Sequence, residues 1–300
     1  MSVAIQSLPS SSRDAAALAA RLGVPFHEIA VHAFPDGEIR VTVGPASDTT
    51  IIYASLDRPN DKLVALMFAA DALRRGGARR LVLVAPYLCY MRQDTVFHAG
   101  EAISQKVIGA LLARCFDRVV TVDAHLHRTP DIAAVFPGIQ SDNLSAMPAI
   151  ADALRKTSLD PATVVAGPDT ESLPWVSDLA GRLGLSFSVA RKSRRGDRSV
   201  AVEFQDGARI AGRPVLIVDD IVSSCGTIIA CAKALTAAGA TAIDVVVTHA
   251  LFSGAACDEM AASRIRSIRS TQSVPHFTNA IALDELFVDA LKGELAEPSQ

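Results

Sequence analysis

Short apolar runs, many of them rich in β-branched residues, recur along the chain of 300 residues. A run of this length without polar alternation is typical of a strand that is buried on both faces of a sheet. The pattern predicts strands over residues 50–54, 81–85, 119–122, 163–166, 200–204, 215–218 and 243–248.

Between many of these runs, apolar residues recur at helical spacing. The first helix is predicted from Arg13 to Leu22, after the cap candidates Ser10 to Ser12 and before Gly23, which suits a helix end. Further helices are predicted over residues 62–75, 102–114, 144–154, 175–183 and 228–238. Buried strands that alternate with helices predict an α/β fold with parallel sheets covered by helices.

The alternation of strands and helices runs twice, with a seam near residues 141–148. We therefore expect two similar domains, residues 1–145 and residues 146–300. The last helix has the option of packing back on the N-terminal domain.

Composition narrows the classes of function. Half of the residues are hydrophobic, a fifth are charged, and the net charge is −3, which gives no basic surface for nucleic acid. No run approaches the ~20 apolar residues of a membrane helix, and the N-terminus lacks a signal-peptide pattern, so a cytoplasmic protein is expected. Five cysteines without Cys-x-x-Cys spacing predict reduced thiols rather than disulfides or a zinc site.

The most informative segment runs from Val215 to Thr227, where an apolar strand leads into Asp219 and Asp220 and then into a turn rich in hydroxyl groups. Backbone N–H groups and hydroxyls at the start of the next helix suit a phosphate. The two carboxylates would repel that phosphate, so they require a ligand that also offers hydroxyl donors or a cation. A phosphorylated ribose meets both requirements.

Other polar residues follow predicted strands, where ligands of open α/β sheets bind. These are Arg92 and Asp94, Asp123 and His125, and Asp169. We expect them to face one crevice between the two domains.

The segment from Asp219 to Thr227 resembles the phosphoribosyl diphosphate loop of two families, the type I phosphoribosyltransferases and the ribose-phosphate diphosphokinases. Only the diphosphokinases also account for the N-terminal half. Motifs similar to theirs occur in order at residues 34–38, 60–61, 86–94, 103–106, 121–125, 142–144, 167–169 and 192–194. The resemblance therefore spans nearly the whole chain.

The resemblance implies two domains of the type I phosphoribosyltransferase fold and an enzyme that transfers the diphosphoryl group of ATP to the C1 hydroxyl of ribose 5-phosphate, leaving AMP. It implies Mg²⁺ as the cofactor and a homo-oligomer built from dimers, with a hexamer as one option. It also implies site residues: Lys192 and Arg194 for catalysis; Phe34, Asp36, Glu38, Arg92, Gln93 and Asp94 for ATP; His125 and Asp169 for the metal; and Asp219, Asp220, Ser223, Ser224, Cys225, Gly226 and Thr227 for ribose 5-phosphate.

Three segments depart from the family pattern. Ser223-Ser224 stands where the family usually has Asp-Thr, residues 95–101 lack the family's basic character, and residues 126–132 replace a Gln- and Phe-rich run. Phosphate activation and ADP inhibition are therefore not carried over. Two alternatives stay open: a phosphoribosyltransferase that uses phosphoribosyl diphosphate, and a non-catalytic regulatory relative.

Overall fold

The computed structural model describes residues 2–195, 199–204 and 207–295. The strands are β1 Val3–Ser7, β2 Phe26–Glu28, β3 Ala30–Ala33, β4 Ile39–Thr42, β5 Thr49–Tyr53, β6 Arg80–Ala85, β7 Arg118–Val122, β8 Gln140–Leu144, β9 Val164–Gly167, β10 Ser186–Val189, β11 Arg191–Arg195, β12 Ser199–Glu203, β13 Pro214–Val222, β14 Ala242–Ala250, β15 Ile265–Thr271 and β16 Asn279–Ile281. The helices are α1 Ser12–Leu22, α2 Pro59–Arg75, α3 Ser104–Cys115, α4 Met147–Arg155, α5 Leu173–Leu183, α6 Gly207–Ile210, α7 Gly226–Ala237, α8 Gly254–Ala262 and α9 Asp284–Leu295.

The chain forms two compact units, and the first contains the residues up to 144, residues 273–275 and the segment from 283 onward. Its sheet has the strand order β2-β1-β5-β6-β7-β8, and every pairing is parallel. Residues of β5, β6 and β7 pack with α2 and α3 in one apolar core, which includes Leu66, Leu83 and Phe116. This burial explains why these strands lack polar alternation.

The second unit contains residues 145–272 and 276–282. Its sheet has the order β10-β9-β13-β14-β15-β16, again with parallel pairings throughout. The predicted α/β fold with two mainly parallel sheets flanked by helices is confirmed. The core joins residues of β13 and β14, such as Ile217 and Val245, with Ile228 and Leu235 of α7.

Two antiparallel hairpins stand apart from these sheets, β3 with β4 and β11 with β12. The strand predicted over residues 200–204 is found as β12, but its expected place in a parallel sheet was wrong. The connection from β11 to β12 is too short for a parallel crossover, which needs a dozen or more residues, and the two strands pair antiparallel instead.

Two findings concern the cysteines and the helices. The five cysteines are free thiols. Of the helices in the described ranges, none combines the length and the apolar character that crossing a membrane requires.

Helix α9 is held in the first unit by ion pairs to the beginnings of β6 and β7. The Glu294 carboxylate, only 5% exposed, accepts hydrogen bonds from Arg80 Nε at 2.7 Å and from Arg118 Nη1 at 2.9 Å. Arg118 also donates to Asp142 and to the Ala290 carbonyl. Burial raises the pKa of Glu294, but the hydrogen bonds from the two arginines outweigh burial and hold it below its ordinary value.

We expect Glu294→Gln to lower the free energy of unfolding by about 3 kcal/mol, because it removes the charged partner of Arg80 and leaves Arg118 with Asp142 alone. The Glu294 carboxylate stabilises the fold at pH values above the pKa that this group has in the unfolded chain. This contribution is lost as the pH falls through the lowered pKa of Glu294 in the folded state. Urea unfolding between about pH 7 and about pH 3 should show the two proteins converging at acid pH.

The matched control is Asp289→Asn, which removes an exposed carboxylate of α9 that pairs with Lys292. It should change the free energy of unfolding by less than about 0.5 kcal/mol. An equal loss in both variants, or a difference that does not depend on pH, would contradict the proposed contribution of Glu294.

Candidate active site

Two adjacent carboxylates, Asp219 and Asp220, lie inside β13 and not after it. Asp219 pairs with Val247 of β14, and Asp220 is 5% exposed. The Asp220 N–H donates to Asp219 Oδ1 at 3.1 Å, and the Ile221 N–H donates to Asp220 Oδ1 at 2.8 Å. These local hydrogen bonds fix both carboxylates near the carboxyl end of the strand.

The pKa of Asp219 is raised well above its ordinary value. Burial is the largest cause, followed by the negative charges of Asp220 and then Asp169. Three carboxylates therefore crowd one region of the second unit. Hydroxyl donors or a divalent cation would relieve that repulsion, and carboxylate oxygens are ligands that Mg²⁺ accepts.

The turn after β13 presents backbone N–H groups at the start of α7. Cys225 has a left-handed backbone, with φ 62° and ψ −10°, and its carbonyl accepts the N–H of Ile229 at 2.9 Å. The first N–H groups of a helix have no partner within the helix and attract anions. Apart from its chain neighbours and the backbone of its own helix, no atom lies within 4 Å of where a Cβ on Gly226 would stand, so a ligand can approach this backbone. Ser224, Gly226 and Thr227 are exposed.

The Cys225 thiol faces inward and is 2% exposed. The pKa of this thiol is raised to about 11. Burial is the largest cause, and the neighbouring Cys257 and Glu259 add to it. The thiol therefore stays protonated at neutral pH, which argues against nucleophilic catalysis by Cys225. The side chain packs in the core of the second unit, so only the backbone of this residue serves the turn.

Asp169 follows β9 at the beginning of a single 3-10 turn. Its side chain accepts the N–H of Glu171 at 3.1 Å, and Ser172 Oγ donates to its carbonyl at 2.5 Å. Ser172 packs so closely on the end of β9 that a Cβ on Gly167 would stand 2.0 Å from its Oγ. Glycine at 167 thus permits the turn that holds Asp169 at the edge of the sheet.

Lys192 and Arg194 belong to β11, where their backbones pair with Val202 and Val200 of β12. Their side chains lie outside the described part of the structure. The hairpin leaves the sheet directly after β10, because Ala190 alone separates β10 from β11.

In the first unit, the segment from Phe34 to Glu38 is the turn between β3 and β4. The Phe34 N–H donates to the Glu38 carbonyl at 2.8 Å, and Asp36 Oδ1 accepts the Glu38 N–H at 3.1 Å. Gly37 has φ +92°, which explains the glycine in this turn. The Phe34 ring is 39% exposed, with the Arg40 guanidinium 6.0 Å from its centre. The turn therefore offers an open aromatic face.

The loop after β6 contains Arg92, Gln93 and Asp94. Arg92 is exposed, and Gln93 donates to Glu101 Oε2 at 3.1 Å. Glu101 also accepts the N–H groups of residues 97 and 98, and its carboxylate contacts the His98 ring. These hydrogen bonds lower the pKa of Glu101, and the one with the His98 ring is the largest cause. The Asp94 carboxylate pairs with Arg128 at 2.8 Å. The sequence patterns indicated no role for Glu101 or Arg128.

The segment after β7 begins with Asp123, a buried residue with the unusual φ of 37°. The next N–H, that of Ala124, donates to Asn143 Oδ1 at 2.8 Å, which anchors the segment to β8. The rings of His125 and His127 meet edge to face with centres 3.8 Å apart. Both imidazoles thus lie on the same side at the carboxyl end of β7, as their spacing in the sequence predicts.

Comparison with known proteins identifies the family. The family model of the N-terminal domain of ribose phosphate pyrophosphokinase matches residues 3–115. The family model of the phosphoribosyl transferase domain matches residues 141–286. A ribose-phosphate pyrophosphokinase of Aquifex aeolicus is 30% identical over 92% of this chain and 89% of its own. The chain belongs to the ribose-phosphate pyrophosphokinase family.

A second curated relative supports this membership, and a solved structure supports the fold. The ribose-phosphate pyrophosphokinase of Bradyrhizobium diazoefficiens is 33% identical, over 87% of this chain and 82% of its own. The crystal structure of phosphoribosylpyrophosphate synthetase from Mycobacterium smegmatis superposes with a TM-score of 0.84 and covers 98% of this chain and 99% of its own. At 23% identity, this structure supports the fold of a ribose-phosphate pyrophosphokinase.

Proposed function

We propose that this chain transfers the diphosphoryl group of ATP to the C1 hydroxyl of ribose 5-phosphate and releases AMP. The observation that carries the proposal is the end of β13, where two fixed carboxylates stand directly before an open turn of backbone N–H groups. A ligand with hydroxyls beside a phosphate fits this order of groups. The family name, ribose-phosphate pyrophosphokinase, indicates transfer of a diphosphoryl group to a ribose phosphate, and ATP is the donor that we propose.

The proposed pentose site uses Asp219, Asp220 and residues 223–227. The N–H groups at the start of α7 and the hydroxyls of Ser223, Ser224 and Thr227 would bind the phosphate. Asp219 and Asp220 would accept hydrogen bonds from the ribose hydroxyls. Binding both ends of the sugar would orient its C1 hydroxyl, and orientation contributes much of the catalysis in phosphoryl transfer.

The proposed ATP residues lie in the first unit. The exposed Phe34 ring would stack on adenine, and the Asp36 and Glu38 carboxylates would accept hydrogen bonds from its amino group or from the ribose. Arg92 and Gln93 would bind the nucleotide from the loop after β6, and Asp94 of the same loop would serve this site through its partner Arg128. We further propose that the turn at Phe34 serves the nucleotide of a neighbouring subunit, in a homo-oligomer built from dimers.

Cationic groups would complete the site. Lys192 and Arg194 would neutralise charge that develops on the diphosphoryl group during transfer. Mg²⁺ held by Asp169 and His125 would neutralise the ATP phosphates. The crowded carboxylates of the second unit suit such a cation, because the pKa of Asp219 is raised by burial and by its acidic neighbours.

The direct test is an assay for AMP with ATP, Mg²⁺ and ribose 5-phosphate in the absence of any nucleobase. The proposal predicts AMP and phosphoribosyl diphosphate in equal amounts. A phosphoribosyltransferase would form neither without its own substrate, and a non-catalytic relative would stay inactive with and without phosphate. Either result would overturn the proposal.

We expect Gly226→Ala to weaken ribose 5-phosphate binding by about tenfold or more while the protein stays as stable as the wild type. The new methyl group meets no atom of another segment within 4 Å, so it does not strain the fold, but it occupies the space above the backbone where the phosphate would sit. Ribose 5-phosphate titrations and urea unfolding measure the two effects. Gly254→Ala at the start of α8, which also meets open space, is the control. Unchanged affinity in the Gly226 variant would contradict the phosphate site.

A further inference from the structure

Two segments of the first unit are joined by direct contacts: the loop after β6 and the residues that follow His127. The buried Gln105 side chain donates to the Met91 carbonyl at 3.4 Å and accepts a hydrogen bond from Thr129 Oγ1 at 2.9 Å. The Gln105 N–H donates to the Gln93 carbonyl at 3.2 Å. The segment with Thr129 therefore has a fixed position beside the proposed ATP residues.

Arg128 belongs to the second of these segments, and its side chain is exposed. Its Nη1 donates to Asp94 Oδ1 at 2.8 Å, and its guanidinium carbon stands 5.3 Å from the centre of the Phe97 ring. The Arg128 side chain is 56% exposed, whereas that of Asp94 is 3% exposed. The carboxylate is thus covered, and the guanidinium that covers it is open to a ligand.

We propose that Arg128 is an additional residue that binds the phosphates of ATP, and that Asp94 orients it. This inference rests on the proposed function. Residues 95–101 contain no lysine or arginine, and the cation that pairs with Asp94 comes from a different segment. A guanidinium presents five N–H donors in a planar fork, and the contact to Asp94 engages Nη1, so donors remain for phosphate oxygens.

The alternative is a salt bridge that only stabilises the loop. Two variants separate these roles. Arg128→Gln keeps an N–H donor for Asp94 and removes the charge, whereas Arg128→Lys keeps the charge and removes the planar fork. With the intact enzyme and Mg²⁺, calorimetric titration should show that Arg128→Gln weakens ATP binding about tenfold and AMP binding less than about threefold. Arg128→Lys should retain most of the ATP affinity.

Arg114→Gln is the matched control, because it removes an exposed positive charge from α3 of the same unit. It should bind ATP as the wild type does. The inference is overturned if Arg128→Gln binds ATP normally, if ATP and AMP lose equal affinity, or if Arg128→Lys is as weak as Arg128→Gln. Should the wild type bind ATP but form no AMP from ribose 5-phosphate, the proposed function fails while the titrations still decide the role of Arg128.

Discussion

Lys192→Ala is expected to lower turnover by about 10³-fold while ATP binding changes little. The reason is that the proposed contact of the ammonium group forms mainly in the transition state, when negative charge builds up on the diphosphoryl group. Lys192 lies in β11, in a hairpin that is separate from the two sheets, so the substitution should leave both sheets intact. Turnover at saturating substrates and equilibrium titration of ATP measure the two quantities separately.

Arg195→Ala is the control for Lys192, because it removes the same charge from the same strand. It should retain turnover within about threefold of the wild type. A loss of ATP affinity in Lys192→Ala as large as its loss of turnover would contradict a role in the transition state.

Asp220→Asn is expected to raise the Michaelis constant for ribose 5-phosphate by about 10- to 100-fold. Asparagine has nearly the same shape, so it fits the buried position, but it lacks the charge that strengthens hydrogen bonds from the ribose hydroxyls. The Michaelis constant for ATP should change much less.

Asp258→Asn removes an exposed carboxylate from α8 of the same unit and serves as the control for Asp220. It should leave both Michaelis constants unchanged. If Asp220→Asn had the wild-type constant for ribose 5-phosphate, the assignment of the ribose site would fail.

The strands that sequence predicts best are those buried on both faces, such as β6 and β14, since uniform burial leaves an uninterrupted apolar run. Strand β1 escaped prediction because Gln6 and Ser7 interrupt its apolar run. The Gln6 side chain is fully buried, and it donates to the carbonyls of Gly44 and Pro45. Those partners lie almost forty residues away, so the sequence pattern does not reveal them.

The end of one strand and the beginning of one helix differ from the sequence prediction, also because of tertiary contacts. Strand β13 was expected to end at Val218, before the acids, but it continues to Val222 because its backbone goes on pairing with β14 up to Ala250. Helix α4 was expected from Leu144, which instead ends β8. In both cases the tertiary structure overrides the local apolar pattern.

The candidate site also contains residues that a contiguous segment reveals and residues that only tertiary contacts bring together. The pentose segment is contiguous, from Asp219 to Thr227, so its residue types and order could be read directly from the chain. The contact between Asp94 and Arg128 joins residues 34 positions apart and depends on the packing of two loops. Only the folded structure brings that pair together.

The most direct test of diphosphoryl transfer follows the phosphorus atoms of ATP. With ATP labelled separately at the α or the β phosphorus, the enzyme should place the β label in phosphoribosyl diphosphate and the α label in AMP when ribose 5-phosphate is added. If the β label stayed with the nucleotide as ADP, or if no label reached the sugar, the central claim would be wrong.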